Sequence, residues 1–354
     1  MIHFAIVGCG HISKKHIEAI ENVENAKLVA VCDTSVERLQ ETCEKYQVNG
    51  YKDLGEMLDN QPEIDVVCIC VPSGLHAKLA IQAANAKKHL IVEKPIALTV
   101  QDAEAIVQAC KDNGVKLSVV HPNRFRPAIM ALKKAMTTGQ FGKISHANAT
   151  LRWNRNQAYY DQAAWRGTKE MDGGVLMNQA IHNLDLLLWL MGPVEEVQGY
   201  SATRLRNIEA EDVAAATVRF QNGALGIIEA AATIFPKNFE ESLSIFGESG
   251  TAVVSGTTAN WIKHWEFESL PKQHAEALIQ EVEHDPYGTP GQEEIIRDMV
   301  DAIRSDRDPV VSGVDGLEAL KLVLAIYKSA ELGKPVKLNE IVEEENRQYE
   351  YNHS

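Results

Sequence analysis

The first 120 residues alternate short apolar runs with amphipathic segments, and this rhythm limits the fold more than any other feature of the chain. The apolar runs predict strands at residues 4–7, 28–32, 66–71, 90–92 and 116–120. Segments 35–46 and 100–113 between them have helical periodicity. Such alternation is typical of an α/β domain with a doubly wound parallel sheet and helices on both faces.

After Pro122 the pattern changes from alternation to consecutive strands. Helices are predicted near 127–136 and 174–191 and a strand near 144–151, followed by strands at 194–203, 213–220, 224–232, 241–246 and 251–255. Turn residues at 221–223 and 247–250 indicate hairpins. This predicts a second, α+β domain with a large open, mostly antiparallel sheet.

Two amphipathic helices near 292–305 and 314–332 precede a polar tail from Glu343, which we expect to be mobile or packed on a neighbouring subunit. The predicted domain boundaries are therefore 1–122 and 123–354. Whether the C-terminal helices pack back on the first domain stays open at this point.

Composition and charge exclude several classes of function. The net charge of -14 disfavours nucleic acid and anionic membranes as partners, although a small anionic ligand remains compatible with it. No apolar run approaches the ~20 residues of a membrane span, and the N-terminal segment is interpreted as a strand, so we expect a cytoplasmic protein. The six cysteines have no metal-ligand spacing, which predicts reduced core thiols and no metal site.

A glycine turn follows the first strand and opens a helix. Gly8 and Gly10 there predict a dinucleotide site, because free backbone amides and the positive end of a helix dipole attract a pyrophosphate. Asp33 comes 23 residues after Gly10, at the end of the second strand, where a carboxylate binds ribose hydroxyls and repels a 2′-phosphate. Arg38 is a full turn further on, so NAD is favoured over NADP.

Two further motifs carry groups that alcohol oxidation needs. Lys94, in Glu93-Lys94-Pro95, ends an apolar strand, and His182 is four residues after Asn178 and three before Asp185. Helical spacing places the last three on one face. A lysine orients a hydroxyl and a histidine removes its proton. A lone histidine in so apolar a helix is more often a core residue, but its spacing to polar neighbours favours function.

These motifs resemble the glucose-fructose oxidoreductase, inositol dehydrogenase and rhizopine-catabolism (Gfo/Idh/MocA) family. The resemblance covers essentially the whole chain. It is carried by the Gly8-x-Gly10 turn with His16, Val71-Pro72-Ser73-x-x-His76, Glu93-Lys94-Pro95, Asn123-Arg124-Phe125, the Gly-Gly-to-His182-x-x-Asp185 helix and Gly313-Val-Asp-Gly316. It implies an NAD(P)-dependent sugar oxidoreductase that forms a homodimer or homotetramer through the second-domain sheet.

The resemblance also implies roles for individual residues. His182 is the base with Lys94 as reserve, Lys94 also contacts the nicotinamide ribose, and Asn178 replaces a family aspartate. The ammonium and imidazole are expected to meet over the nicotinamide ring. The expected cofactor contacts are Gly8, Gly10, His11, Ile12, Asp33, Pro72, Ser73, His76, Glu93, Lys94, Asn123, Trp165 and Arg166. The expected substrate contacts are Lys94, Arg124, Arg152, Tyr159, Tyr160, Arg166, Asn178, Gln179 and His182.

Within the family, segments 122–127, 158–161, 165–168 and 176–182 look like the branch that oxidises carbon 3 of UDP-N-acetylglucosaminuronate. Local charge agrees, because arginines and aromatic residues suited to carboxylate, phosphate and base crowd into one stretch: Arg152, Trp153, Arg155, Tyr159, Tyr160, Trp165, Arg166 and Lys169.

Two other interpretations stay open. The protein is a free-sugar or inositol dehydrogenase with an incidental, solvated basic loop, or it is an NAD-binding regulator without catalysis. Such regulators tend to lose the lysine or the histidine, and this chain keeps Lys94 and His182.

Overall fold

A computed structural model describes residues 1–341 of the chain. Its first sheet has six parallel strands in the order β3-β2-β1-β4-β5-β6. The strands are β1 (Ile2–Val7), β2 (Ala26–Cys32), β3 (Asn49–Tyr51), β4 (Val66–Ile69), β5 (His89–Val92) and β6 (Leu117–Val119). This is the doubly wound sheet that the sequence predicted.

The helices between these strands are α1 (Ser13–Asn22), α2 (Val36–Tyr46), α3 (Leu54–Asn60), α4 (His76–Asn85) and α5 (Val100–Asn113). All four residues of β4 are buried, since a sheet covered on both faces needs continuous apolar runs. Helix α5 begins where Thr99 accepts a hydrogen bond from the amide of Asp102, and it ends at Gly114, whose φ is +64°. Strand β3 was not predicted, because it is only three residues long and two of them are exposed.

The second sheet has eight strands in the order β13-β12-β11-β7-β10-β9-β8-β14. Strands β7 and β10 are parallel and all other described neighbours are antiparallel, as expected for a mostly antiparallel sheet. The strands are β7 (Ile144–Arg152), β8 (Val194–Ala202), β9 (Val213–Phe220), β10 (Leu225–Ala231), β11 (Glu240–Gly247), β12 (Gly250–Ser255), β13 (Trp261–Phe267) and β14 (Val336–Lys337).

The two faces of this sheet differ in burial. Alternate residues of β9 are buried and exposed, as expected for a sheet with one covered face. Helix α8 (Ile181–Met191) packs against β7 and β11. The remaining helices of this part are α6 (Pro127–Thr137), α7 (Gln157–Tyr160) and α9 (Lys272–His284). Strand β13 and helix α9 were not predicted from the sequence.

The helix predicted at 174–191 is two structures in sequence. Residues Val175–Ala180 form a π-helical turn, and only then does α8 begin. The first amides of the turn bind Glu211: the amide of Val175 donates to its carbonyl oxygen at 2.9 Å, and that of Leu176 donates to its Oε1 at 2.8 Å. The prediction of one continuous α-helix over 174–191 is therefore wrong, while the shared face of Asn178, His182 and Asp185 stays a prediction.

The chain divides into two compact units. One comprises Met1–Pro122 with Pro290–Leu317, and the other comprises Asn123–Thr289 with the residues from Glu318 onward. Helix α10 (Gly291–Arg304) packs on α1 and β2 within the first unit, and α11 (Gly313–Leu332) spans the division. The tail from Glu343 lies outside the described residues.

Within residues 1–341 no helix has the length and apolarity of a membrane span, and no cluster of side chains suits a metal ion. The six cysteines form no disulfide, and five of them are buried. The prediction of core thiols is confirmed.

Candidate active site

The glycine turn after β1 has the properties of a phosphate-binding loop. Gly8 has φ +97°, and a Cβ there would lie 2.6 Å from the carbonyl oxygen of Cys70, so no larger residue fits. Around Gly10 a Cβ would meet nothing within 4 Å, which leaves the backbone open to a ligand. Helix α1 follows with Ile12 at its N-cap, without a side-chain cap or an acidic residue in its first turn. These uncapped amides suit the pyrophosphate of NAD.

Asp33 ends β2 and is buried, with more partners than the sequence suggested. Its Oδ2 accepts hydrogen bonds from the amide of Cys9 at 2.8 Å and Nε of Arg38 at 3.2 Å, and its Oδ1 accepts from the amide of Ser35 at 2.7 Å and Nη2 of Arg38 at 2.9 Å. Burial alone would raise the pKa of Asp33, but these hydrogen bonds outweigh it and lower the pKa. The carboxylate is thus held ionised beside the turn.

The ion pair with Arg38 corrects the expectation that this arginine is too far along α2 to matter. About four lone-pair sites of the Asp33 carboxylate are already occupied. A ribose hydroxyl would therefore bind Asp33 by displacing the half-exposed guanidinium of Arg38, whose side chain is 53% exposed.

Glu93 and His76 have structural partners. Oε1 of Glu93 lies 2.7 Å from Nε2 of the fully buried His16. Burial would raise the pKa of Glu93, yet the His16 contact outweighs it and lowers the pKa. Both ring nitrogens of buried His76 face carbonyl oxygens, those of Pro95 at 2.8 Å and Val71 at 3.0 Å. These partners fix the loops around Lys94 and argue against direct cofactor binding by the two side chains, which stays a prediction.

Lys94 lies at the carboxyl end of β5, between these anchors. Its backbone amide donates to Oε2 of Glu93 at 3.3 Å, and its side chain is partly exposed. Nearby, Ser73 is buried in a single turn of 3₁₀ helix that begins after Pro72. His11 is exposed and Ile12 partly exposed at the start of α1.

In the second unit, Arg124 and Asn123 prove to be structural. Arg124 is 2% exposed and binds Asp185 through two hydrogen bonds, Nε to Oδ2 at 2.8 Å and Nη2 to Oδ1 at 2.6 Å. Asn123 is buried and donates to Oε1 of Glu241 at 3.2 Å. This burial and pairing argue against the predicted contacts of Arg124 with substrate and of Asn123 with cofactor, which stay predictions. Both residues hold the segment after Pro122 onto α8 and β11.

The remaining arginines and aromatic residues converge. The guanidinium of Arg155 lies 4.9 Å from the ring centre of Trp153 and 5.2 Å from that of Tyr159. The guanidinium of Arg166 lies 4.4 Å from Tyr159 and 4.8 Å from the Trp165 ring, and its Nη1 donates to Oη of Tyr159 at 2.6 Å. We call these five residues the basic-aromatic cluster. Tyr159 is its centre, because the guanidiniums of both Arg155 and Arg166 lie within 5.2 Å of its ring centre.

Two neighbours of this cluster are engaged by the protein itself, and a third is exposed. Arg152 is bound by Glu229 and Glu240 at 2.6–2.8 Å, so its guanidinium fork is already filled. Tyr160 is 6% exposed and supports Tyr159 in an edge-to-face contact of 5.1 Å. Lys169 is exposed. These partners and this burial argue against the predicted substrate contacts of Arg152 and Tyr160, which stay predictions.

A chain of hydrogen bonds joins the cluster to the π turn. Nη2 of Arg155 donates to Oε1 of Gln179 at 2.9 Å, and Nε2 of Gln179 donates to Oδ1 of Asn178 at 2.8 Å. Nδ2 of Asn178 donates to Oδ1 of Asp172, whose Oδ2 accepts from the amide of Gly167 at 2.7 Å. His182 follows one turn later as the second residue of α8 and is partly exposed.

Asp172 and Glu211 were missed by sequence reasoning. The only signal for Asp172 is its place directly before Gly173-Gly174, and a carboxylate there is equally typical of a solvated loop. Glu211 is distant in sequence, so its contact with the π turn depends on the sheet topology.

Glu211 makes stability depend on pH. Burial raises its pKa to about 7, although hydrogen bonds from Leu176 and Tyr327 oppose the shift. The folded protein therefore holds a proton that the unfolded chain, with an ordinary pKa of 4.5, has released. Stability should fall as pH rises from about 4.5 to about 7, and then level off.

Glu211→Gln should remove this pH-dependent loss of stability. From about pH 5 to about pH 8, the free energy of unfolding of the variant should therefore rise relative to that of wild type by up to roughly 3 kcal/mol. Urea denaturation at both pH values measures it. A smaller dependence of stability on pH should remain in the variant, because Glu241 is also buried and has a pKa of about 7. Glu283→Gln, which changes an exposed residue, is the control and should leave the pH dependence as in wild type. Equal slopes for wild type and Glu211→Gln would contradict the assignment.

Comparison with known proteins agrees with this geometry. Residues 2–121 match the family described as "Oxidoreductase family, NAD-binding Rossmann fold", and residues 129–253 match the GFO/IDH/MocA C-terminal domain. Myo-inositol 2-dehydrogenase of Thermotoga maritima is 28% identical over 96% of this chain and 100% of its own length.

Two solved structures are more similar. The WlbA dehydrogenase from Bordetella pertussis, in complex with NADH and UDP-GlcNAcA, is 40% identical with a TM-score of 0.91, covering 95% of this chain and 97% of that one. The WlbA dehydrogenase from Chromobacterium violaceum, with the same ligands, is 39% identical with a TM-score of 0.89, covering 95% of each chain. The chain belongs to the Gfo/Idh/MocA family and is an NAD-dependent sugar oxidoreductase.

Proposed function

We propose that this enzyme oxidises the carbon 3 hydroxyl of UDP-N-acetylglucosaminuronate (UDP-GlcNAcA), or of a closely related nucleotide sugar, to a ketone. The observation that carries the proposal is the continuous polar path from the basic-aromatic cluster to Asn178. The similarity to two WlbA dehydrogenases, whose structures contain UDP-GlcNAcA, supports it.

The chemistry of the cluster suits this substrate class. A guanidinium binds carboxylate or phosphate oxygens in pairs, and UDP-GlcNAcA carries both groups. Arg155 and Arg166 are each held against aromatic rings, which limits the conformational freedom that a ligand would otherwise have to restrict. A free hexose or inositol carries no anionic group for these two arginines.

In the proposed reaction, His182 removes the proton of the sugar hydroxyl. Lys94 and Asn178 hold the oxygen as it gains negative charge, and the charge of Lys94 stabilises the alkoxide-like transition state. NAD, when bound, accepts the hydride at carbon 4 of its nicotinamide ring. The glycine turn and Asp33 bind and orient this cofactor.

A second candidate is an inositol or free-sugar dehydrogenase. It is favoured by the full-length similarity to a myo-inositol 2-dehydrogenase and to a scyllo-inositol 2-dehydrogenase of Bacillus subtilis, 25% identical over 96% of this chain. Under this alternative the basic-aromatic cluster has no role in catalysis.

Mixing the enzyme and NAD with UDP-GlcNAcA, UDP-N-acetylglucosamine, myo-inositol or glucose separates the candidates. Enzyme is used at substrate-like concentration, so that NADH is seen even if it stays bound. We expect NADH absorbance with UDP-GlcNAcA and little without the carboxylate. Substrate deuterated at carbon 3 should give deuterated NADH. Turnover of inositol alone would reject the proposal.

We further propose that two copies of the chain pair through the exposed face of the second sheet. Tyr200, Leu225 and Ile227 are 69%, 56% and 52% exposed on strands β8 and β10, which flank β9. An apolar patch on a sheet is typical of an interface between copies.

Replacing both Leu225 and Ile227 by Asp should convert a dimer or tetramer into smaller species, because charges would be buried in the interface. Light scattering after size exclusion measures the mass. Leu332→Asp, which changes a residue of similar exposure at the end of α11, is the control. An unchanged mass would exclude this face.

A further inference from the structure

Asn178 lies in a chain of hydrogen bonds whose two ends have fixed polarity. At one end Arg155 can only donate, and at the other the carboxylate oxygens of Asp172 accept from Asn178 and from the amide of Gly167. Between them, Gln179 and Asn178 each have an amide that could be turned either way. The contacts therefore define both amides: each nitrogen points toward Asp172 and each oxygen toward Arg155.

We propose that Asp172 is a positioning residue that holds the Asn178 amide with its nitrogen as the donor, and that Gln179 couples this orientation to Arg155. The inference rests on the proposed function insofar as Asn178 holds the reacting oxygen. The resemblance implies a carboxylate at position 178, where this chain has an amide. Asp172 places a carboxylate one hydrogen bond away from that position.

The burial of Asp172 fits this role. Its side chain is 1% exposed, and its second oxygen accepts from the amide of Gly167 at 2.7 Å. Gly167 and Asn178 both donate to it, so an acceptor is required toward each of them. Hydrogen bonds to a charged acceptor are about twice as strong as neutral ones, which is why a carboxylate fixes a neighbouring amide firmly.

Asp172→Asn breaks the chain without changing its shape. The new amide has one donor side, which must face either Gly167 or Asn178. If it faces Asn178, that amide must turn over, Gln179 must follow, and the reversed chain then meets Arg155, which cannot reverse. In every arrangement two donors oppose each other.

The double substitution Asp172→Asn with Asn178→Asp restores a pattern of matched donors and acceptors. The amide at 172 then accepts from Gly167 and donates to the carboxylate at 178, which accepts from Gln179. Charge and shape match the wild type and no two donors oppose each other, but the hydrogen bond between positions 172 and 178 is reversed, so position 178 has no N–H for the substrate. The double variant therefore separates positioning from a general loss of structure.

The test compares wild type, both single variants and the double variant by steady-state kinetics with UDP-GlcNAcA, NAD binding and melting temperature. Asp172→Asn should lower kcat roughly 10- to 100-fold, as for the loss of a hydrogen bond to a charged group, with NAD binding unchanged. The double variant should recover the melting temperature but not kcat, because it removes the opposed donors while position 178 still lacks a donor for the reacting oxygen. Asp161→Asn, an exposed aspartate in the same segment, is the matched control.

Unchanged kcat in Asp172→Asn, or a double variant whose kcat returns to that of wild type without a donor at position 178, would overturn the inference. If Asp172→Asn lowers the melting temperature, the double variant restores it, and kcat is unaffected in both, Asp172 is only structural. That result would also overturn the inference. If wild type does not oxidise UDP-GlcNAcA, the proposed function fails, but the melting temperatures still test the hydrogen bond between positions 172 and 178. That hydrogen bond would be rejected if the change in melting temperature of the double variant equalled the sum of the changes in the two single variants.

Discussion

Lys94→Ala and His182→Asn should each lower the rate of NADH formation by roughly two to four orders of magnitude, the range for loss of an acid–base or charge-stabilising group. For Lys94 the reason is the loss of positive charge against the developing alkoxide. For His182 it is the loss of the base. Binding of NAD should survive both changes, because the glycine turn and Asp33, which we propose bind it, are unchanged. Stopped-flow absorbance and calorimetric NAD titration measure the two properties.

Controls come from the same units of the chain. Lys111→Ala changes an exposed lysine of α5, and His264→Asn changes a partly exposed histidine of β13. Both should retain wild-type rates. Wild-type turnover in Lys94→Ala or His182→Asn would remove that residue from the proposed chemistry, and loss of NAD binding would show that its role is in cofactor binding instead.

Asp185→Leu should destabilise the protein by roughly 3–5 kcal/mol, because it leaves the guanidinium of Arg124 buried without its partner. The pair is 2% and 1% exposed and doubly hydrogen-bonded, and Arg124 also lies 5.0 Å from the ring centre of Trp189. Urea denaturation measures the free energy of unfolding. Adding Arg124→Met to Asp185→Leu should recover most of the loss, since neither charge is then buried.

The exposed pair Lys272–Glu276, with side chains 89% and 56% exposed, provides the comparison. Glu276→Gln should cost no more than about 1 kcal/mol. A loss of similar size in Asp185→Leu would mean that water reaches Arg124, and its assignment as a buried structural residue would be wrong.

Periodicity was sufficient to predict most of the fold. The span 100–113 coincides with α5, because a threonine cap and a terminal glycine bound it in the sequence itself. Strand β3 and the π turn could not be predicted in this way. Asn49–Tyr51 has no apolar pattern, and the π turn depends on Glu211, which reaches Leu176 only through the tertiary structure.

The candidate site was predictable in residue type and less so in role. Arg124 and Arg166 are chemically identical in the sequence, yet one is buried against Asp185 and the other lies over Tyr159. Which arginine meets a carboxylate of the protein itself is decided by partners 61 residues away for Arg124 and 77 for Arg152. Local pattern carries no information on such pairs, and for the same reason Asp172 was missed.

The return of α10 to the nucleotide-binding unit has a consequence for protein synthesis. Its buried residues, Ile295, Ile296 and Met299 among them, belong to a helix that packs on α1 and β2. When only the first 122 residues have been synthesised, the first sheet therefore lacks helix α10, which packs on α1 and β2 in the complete chain. We expect that segment, expressed alone, to aggregate or to require a chaperone, and a fusion of 1–122 to 290–317 through a short linker to be the smallest piece that folds by itself.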